Sequence, residues 1–272
     1  MQVTGLFIYP IKGLAGVSLS EANLEQRGLA YDRRWMLVDE EGVFISQREV
    51  NKMALLKPEM TGKELIIHAS HLSIGPLRVP LKPATVSQQI QVQVWENSCE
   101  AQFVSPAADR WLSRVLGANC RLVYMPDSSI RPLKATYGLP GEMVGFADSC
   151  PLLVLGEASL ADLNNRLEHP VPIDRFRPNI VFSGGQPYEE ESWRNFHIGA
   201  VSLRGIRTCA RCQVITIDQQ SAKIGQEPLR TLSTYRRQGN KVLFGLYASL
   251  AKAGENGSAL LRVGDRISIE GG

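Results

Sequence analysis

Thr208-Cys209-Ala210-Arg211-Cys212-Gln213-Val214-Ile215-Thr216-Ile217-Asp218 sets two cysteines two residues apart and runs them into a β-branched tail. A dithiol of the thioredoxin kind takes its low thiol pKa from the start of a helix, whereas Val214, Ile215 and Ile217 favour extended backbone. The stretch therefore predicts a strand over 214–217, with the cysteine pair on it or where it begins, and it turns the fold away from a redox α/β domain. Two thiols at this spacing can clamp a metal, exchange as a disulfide, or supply one nucleophile or ligand beside a bystander. A structural zinc site usually needs a second ligand pair; Cys99, Cys120 and Cys150 stand singly, and His68, His71, His169 and His197 form no ligand pattern with them. One cysteine thus reads as a thiolate presented to something soft, with Arg211 nearby to hold an anion.

Outward from this stretch the chain keeps the same β character. Short apolar runs at 6–9, 35–38, 43–45, 65–67 and 90–95 alternate with turn residues, and Gln89-Ile90-Gln91-Val92-Gln93-Val94 shows the two-residue period of a half-buried strand. Further strands are expected at 179–183, 201–206, 261–262 and 266–270. Ser105, Pro106 and Gly117 read as cap, first position and stop of a helix whose apolar face is Ala108, Trp111, Leu112 and Val115. A second helix is expected over 157–167 from Leu160, Leu163 and Leu167. The stretch 125–148, rich in Pro, Gly and Ser, reads as a long loop at a domain junction that overhangs the site. The fold class is α+β and mostly β, dominated by a barrel.

Composition limits the function classes. With 272 residues and 44% hydrophobic content the chain is long enough for one large or two ordinary domains with real cores. A formal charge of +3, spread along the chain, gives no nucleic-acid footprint. No apolar run approaches the roughly 18 to 20 residues that cross a bilayer, so no membrane association and a cytoplasmic location are expected. Five scattered cysteines argue for reduced thiols over a disulfide framework.

The cysteine stretch resembles the signature of the MOSC-domain family, and four more segments match that family in order: Tyr9-Pro10-Ile11-Lys12, Tyr31-Asp32-Arg33-Arg34-Trp35, Phe176-Arg177-Pro178-Asn179-Ile180-Val181 and Phe244-Gly245-Leu246-Tyr247. The branch it looks most like contains the mitochondrial amidoxime-reducing component and bacterial reductases of N-hydroxylated bases, here without a fused iron-sulfur domain. The resemblance implies a β-barrel-like N-terminal region over 1–122 and a molybdenum-cofactor-binding barrel domain with a few helices over 123–272. It implies that Cys212 is the catalytic residue and the metal ligand of a molybdenum cofactor (Mo-molybdopterin). Lys12, Arg33, Arg177 and Arg211 then serve the cofactor's phosphate and Asn179 its pterin edge, while Gly13, Ser149, Cys150, Ala210 and Tyr247 complete the cofactor contacts. Gly13, Cys150 and Ala210 stand where relatives often carry serine, so three hydroxyls are missing. The implied activity is removal of the hydroxyl oxygen from small N-hydroxylated compounds such as amidoximes, hydroxylamines or N-hydroxylated bases. Electrons would come from a separate iron-sulfur, flavin or haem protein. The rival expectation is a carrier of the cofactor or of sulfur, with a persulfide on Cys209 or Cys212 and no turnover of its own.

Overall fold

Residues 1–82, 88–252 and 259–270 are described by the computed structural model. The strand signals at 6–9, 179–183, 201–206 and 266–270 gather into one nine-stranded sheet. Its order is Ile267–Ile269, Asn195–Ile198, Val201–Arg211, Lys241–Lys252, Leu152–Gly156, Ile180–Ser183, Gln2–Ile8 and Val17–Leu19, with Arg237–Gln238 paired onto Lys241–Lys252. Neighbours run antiparallel except Leu152–Gly156 beside Ile180–Ser183. Parallel neighbours require a crossover, and the helix Glu157–Asn164 lies within it. Backbone hydrogen bonds from Val3 to Asp265 (2.9 Å), Gly264 to Val3 (2.8 Å) and Ile267 to Met1 (2.9 Å) bring the far edge back to the first strand, so the sheet curls on itself as a barrel. Its interior is packed with Leu6, Phe182, Trp193, Phe196 and Leu246.

Three smaller sheets complete the fold: Trp35–Val38, Arg121–Tyr124, Asn97–Phe103 and Gln89–Val94 in one; Lys57–Met60, Glu64–His68 and Leu77–Pro80 in another; and, joining the two ends of the chain, Leu260–Arg262 with Glu21–Glu25 and Gly28–Leu29 in the third. The helix Pro106–Leu116 has the ends its sequence signals. Ser105 Oγ accepts from the Ala108 N–H, and Gly117 adopts φ +69° while its N–H donates to Ser113 O. Ala108, Leu112 and Val115 close a core with Trp35, Leu65 and Val79.

Three local expectations are corrected. Gln213–Thr216 forms a 3-10 turn and not a strand, because the chain bends immediately after Cys212 and Ile217 N–H closes on Val214 O at 3.1 Å. Residues 43–45 make only single bridges, Phe44 to Val38 and Val43 to Gln93, since they are shared between two strands and form a ladder with neither. The second helix ends at Asn164, and turns carry the chain on to Leu167. No helix among the described residues is long and apolar enough to cross a membrane.

The barrel wall is tightest where Gly205 passes Trp193. A Cβ at Gly205 would lie 2.1 Å from Trp193 O, backbone that no rotamer change moves. Gly205→Ala should therefore lose roughly 3 kcal/mol of stability in denaturant titration. Gly62→Ala, where a Cβ meets nothing within 4 Å, should stay within about 0.5 kcal/mol of wild type; equal losses in the two variants would refute the packing account.

Candidate functional site

Tyr9 follows the last residue of the first strand and ties three segments together. Its N–H donates to Asp32 Oδ1 at 2.7 Å, and its carbonyl accepts from the Arg33 N–H at 2.9 Å. The phenol donates to Pro178 O at 3.1 Å, and burial pushes its pKa up to about 12, so it stays neutral. Arg33 and Arg177 both stack on its ring, each with Cζ 4.2 Å from the centroid. Both arginines have left-handed backbone, at φ +47° and +56°, which L residues adopt at a cost and which is typical of functional sites.

The two guanidinium groups differ in how they are compensated. Arg33 donates to Asp32 Oδ2 (2.6 Å), Asn179 Oδ1 (3.1 Å) and Arg177 O (3.3 Å). Arg177 has no hydrogen bond or ion pair from its guanidinium among the described residues, and burial lowers its pKa to about 10. Asn179 is 1% exposed; its Oδ1 also accepts from the Leu153 N–H, and its Nδ2 donates to Phe7 O. The amide therefore braces the barrel wall and orients Arg33.

Lys12, nearly buried, donates to Phe146 O at 2.9 Å and to Asp148 Oδ1 at 2.5 Å. Burial lowers the lysine pKa, opposed by Asp148. The loop carrying Asp148 is held by Arg131, whose Nη1 lies 2.6 Å from both Gly145 O and Ala147 O, and by the Phe146 N–H on Arg33 O. Beyond Asp148, Ser149 Oγ accepts from Arg207 at 2.8 Å, and burial drives the Cys150 thiol up to about 12.

The sulfur side lies at the end of the strand Val201–Arg211, where the register shifts between Thr208 and Ala210. Cys209 is 2% exposed, and its sulfur accepts from Arg211 Nη1 at 3.0 Å, while Arg211 Nη2 donates to Phe176 O at 2.7 Å. Cys212 is the first residue past the strand, is exposed, and makes no side-chain cap to the turn it precedes. Tyr247, opposite Arg207 on the paired strand, has its pKa raised by burial and faces the same space.

Every sequence-predicted site residue lines one cleft: Lys12, Gly13, Arg33, Ser149, Cys150, Arg177, Asn179, Ala210, Arg211, Cys212 and Tyr247. Sequence reasoning missed Ser46, Gln47 and Arg48, which line it too, and also Trp95, whose indole N–H donates to Asp148 at 2.9 Å. These residues lie on turns with no motif of their own. Phe176, Leu153, Val214 and Ile215 form the apolar part of the wall. Gly13 at φ +87° has a backbone that a serine would adopt only with strain, and a Cβ there would also push the flexible end of Met53, 2.6 Å away at Cε.

The donor set fits an anionic, soft-metal group that brings most of its own ligands. Among the described residues no three His, Cys, Asp or Glu side chains could cage an ion. A metal held here would find Cys212 as the exposed thiol of the cleft, beside the buried Cys150 and Cys209, and would otherwise bring its own ligands. Arg48 adds a cation beside Trp95, and the other four, Lys12, Arg33, Arg177 and Arg211, already outnumber the single carboxylate among the lining residues, Asp148. That excess suits a phosphate.

Family models match the chain in two parts, the MOSC N-terminal beta barrel domain over residues 1–119 and the MOSC domain over 142–268. The chain belongs to the MOSC-domain family, in the branch of the mitochondrial amidoxime-reducing components. It is 34% identical to mitochondrial amidoxime-reducing component 1 of Mus musculus and 33% identical to that of Homo sapiens. Each alignment covers 99% of this chain, with 82% of the mouse protein and 83% of the human one. It is also 31% identical, over 90% of its length, to the molybdenum cofactor sulfurase of Oryza sativa subsp. japonica, of which it covers 32%.

The Lys12–Asp148 pair makes a pH test. Lost hydration favours the neutral carboxyl although the side chain is still half exposed, but Lys12, the Trp95 indole and Arg48 outweigh it and hold Asp148 below the usual carboxylate range. Stability from a carboxylate with a depressed folded pKa is present above its unfolded value, about 3.9, and is lost as the pH falls below that. Asp148→Asn should therefore lower the Tm by similar amounts at pH 7 and pH 5, and the gap to wild type should narrow only below about pH 4. A gap that already narrows between pH 7 and pH 5 would contradict a depressed pKa.

Proposed function

We propose that this protein is a molybdenum-cofactor-dependent oxidoreductase that removes the hydroxyl oxygen from small N-hydroxylated compounds. The observation that carries the reading is the exposed Cys212 thiol facing a cleft with more cationic than anionic side chains, where the Arg177 guanidinium makes no ion pair among the described residues. The same reading divides the chain into a β-barrel-like region over 1–122, which lends Lys12 and Arg33, and a cofactor-binding MOSC domain over 123–272. When bound, the molybdenum cofactor supplies two-electron oxygen-atom abstraction from the N–O bond.

The chain's own residues supply the rest. Cys212 offers a soft thiolate, and its place past the strand end keeps the sulfur open to the cleft. Arg177, Arg33 and Lys12 hold the phosphate end; Asp32 and Asp148 each neutralise one of the three, so the seat keeps a net positive charge. Arg211 is fixed by Phe176 O and the Cys209 sulfur, which orients the cysteine turn and leaves Cys209 as a packing residue. Tyr247 stays a neutral phenol and can donate a hydrogen bond into the cleft. Asp148 is ionised at neutral pH and is a poor proton donor, so protons reach the substrate oxygen from solvent at the open side. A separate iron-sulfur, flavin or haem protein restores the electrons, and the outcome is detoxification of N-hydroxylated compounds.

A second reading, a cofactor or sulfur carrier without turnover, draws on the three thiols of Cys150, Cys209 and Cys212 around one cleft and on the sulfurase relatives. Elemental analysis, pterin fluorescence and a reductase assay with a reduced viologen separate the two. Protein made in a host that synthesises the cofactor should hold molybdenum and pterin in near-equal amounts and reduce an amidoxime. Cys212→Ala should lose molybdenum and activity while its stability stays within about 0.5 kcal/mol, as for other exposed substitutions. An active Cys212→Ala protein sinks the reductase assignment, and a cysteine sulfur adduct without pterin favours the carrier.

A further inference from the structure

The mouth of the cleft holds a cation that the cofactor reading does not use. Arg48 lies on the turn after residues 43–45, and that turn is firmly held. Ser46 Oγ donates to Glu49 at 2.5 Å, Gln47 donates to Gly13 O at 2.6 Å, and the Gln47 and Gln219 amides exchange hydrogen bonds at 3.2 and 3.1 Å. The Arg48 guanidinium lies 4.3 Å from the centre of the Trp95 ring. Trp95 turns the hairpin between Gln89–Val94 and Asn97–Phe103 at φ +58°, a conformation that costs energy for a bulky residue. Its ring is fixed by the hydrogen bond to Asp148 and by an edge contact with Phe44 at 4.7 Å, yet 37% of the residue remains exposed.

Arg48 is thereby positioned without being neutralised. Among the described residues no carboxylate lies within ion-pair distance of it; Asp148 contributes charge from nearby while its Oδ1 serves Lys12 and Trp95. Its Nε is buried without a partner. A guanidinium held over an aromatic ring without an ion-pair partner leaves terminal N–H groups to meet a carboxylate or phosphate, which can accept two parallel hydrogen bonds from them. On the proposed reading the cofactor's phosphate is held elsewhere, by Arg33 and Arg177, both stacked on Tyr9.

We propose that Arg48, presented on Trp95, is a specificity-determining residue that selects N-hydroxylated substrates carrying a carboxylate or phosphate-type oxyanion on a planar body. The inference rests on the reductase reading and adds the substrate class to it. A neutral amidoxime needs no cation at the mouth. An anionic one gains a charge-assisted contact that acts in the ground state and the transition state alike, so the preference appears chiefly in KM.

The test compares benzamidoxime with its 4-carboxy and 4-phosphono derivatives on the molybdenum-loaded enzyme, with a reduced viologen as donor. Wild type should favour at least one anionic compound by about tenfold or more in kcat/KM, and rising salt should shrink that preference. The compound favoured identifies carboxylate or phosphate as the natural group. Arg48→Gln should bring the anionic-to-neutral ratio close to one by raising KM for the anionic substrate, and Arg48→Lys should restore part of it. Molybdenum and pterin contents should match wild type in both variants. Equal kcat/KM for all three compounds in wild type overturns the proposal and leaves the reductase reading standing. Loss of pterin from Arg48→Gln also overturns it, by making Arg48 a cofactor anchor. If wild type loaded with cofactor reduces none of the three, the reductase reading falls and this inference falls with it.

Discussion

Two guanidinium groups on one tyrosine ring set the terms for the site. Arg33 and Arg177 both stack on Tyr9 and repel each other; Asp32 pairs directly with Arg33, while Arg177 loses hydration and, among the described residues, makes no ion pair, with Asp32 and Asp148 favouring its charge only from a distance. Stacking on an aromatic face recovers part of that loss, and the neutral phenol adds no charge of its own. A half-buried cation left in this state attracts an anion from solution. The left-handed backbone at both arginines belongs to the same arrangement, because the surrounding hydrogen bonds, Arg33 N–H to Tyr9 O among them, hold the chain in conformations it would otherwise leave.

The cysteine pair is resolved by where the strand stops. Inside the strand Val201–Arg211, Cys209 faces protein and is buried; one residue past its end, Cys212 is exposed. Two thiols that are chemically alike in sequence thus acquire different roles, and Arg211 between them is fastened to Cys209 on one side and to Phe176 on the other. Among the described residues no three His, Cys, Asp or Glu side chains could cage an ion, so on the proposed reading a metal at Cys212 would be bound largely by its own organic ligands, and the arginines and Lys12 would hold it through them.

Legibility in the sequence followed locality. The helix Pro106–Leu116 was readable to the residue because Ser105, Pro106 and Gly117 act within a few positions of one another. The β character of 214–217 was misread: three β-branched residues favour a strand in isolation, but here tertiary packing of Ile215 beneath Phe176 and Phe244 rewards a turn. Lys241–Lys252 was seen only as the motif around Tyr247, since Gly245 at φ +83° interrupts an otherwise ordinary strand pattern. All eleven residues expected at the site share a cleft; eight lay in the five segments whose order along the chain carried information, Gly13 adjoins one of them, and Ser149 and Cys150 came from the same family resemblance. Ser46, Gln47, Arg48 and Trp95 carried none: their position depends on a turn and a hairpin whose meeting no local pattern encodes.

The site is also a product of the whole chain. Lys12 and Arg33 come from segments around the first strand, Asp148 from the long loop, Arg177 and Asn179 from the lead into a barrel strand, and the cysteines from its longest pairing. Asn179 shows how these are made interdependent, for it bonds Phe7 O with its side chain, receives the Leu153 N–H and Arg33 on its oxygen, and pairs its own backbone with Phe7 and Leu153. Because the first strand sits inside the barrel sheet, between Ile180–Ser183 and Val17–Leu19, the N-terminal residues cannot dock after the barrel is finished; they are part of what finishes it. The cationic seat therefore forms together with the barrel, and a chain that has closed its sheet has already placed its anchors.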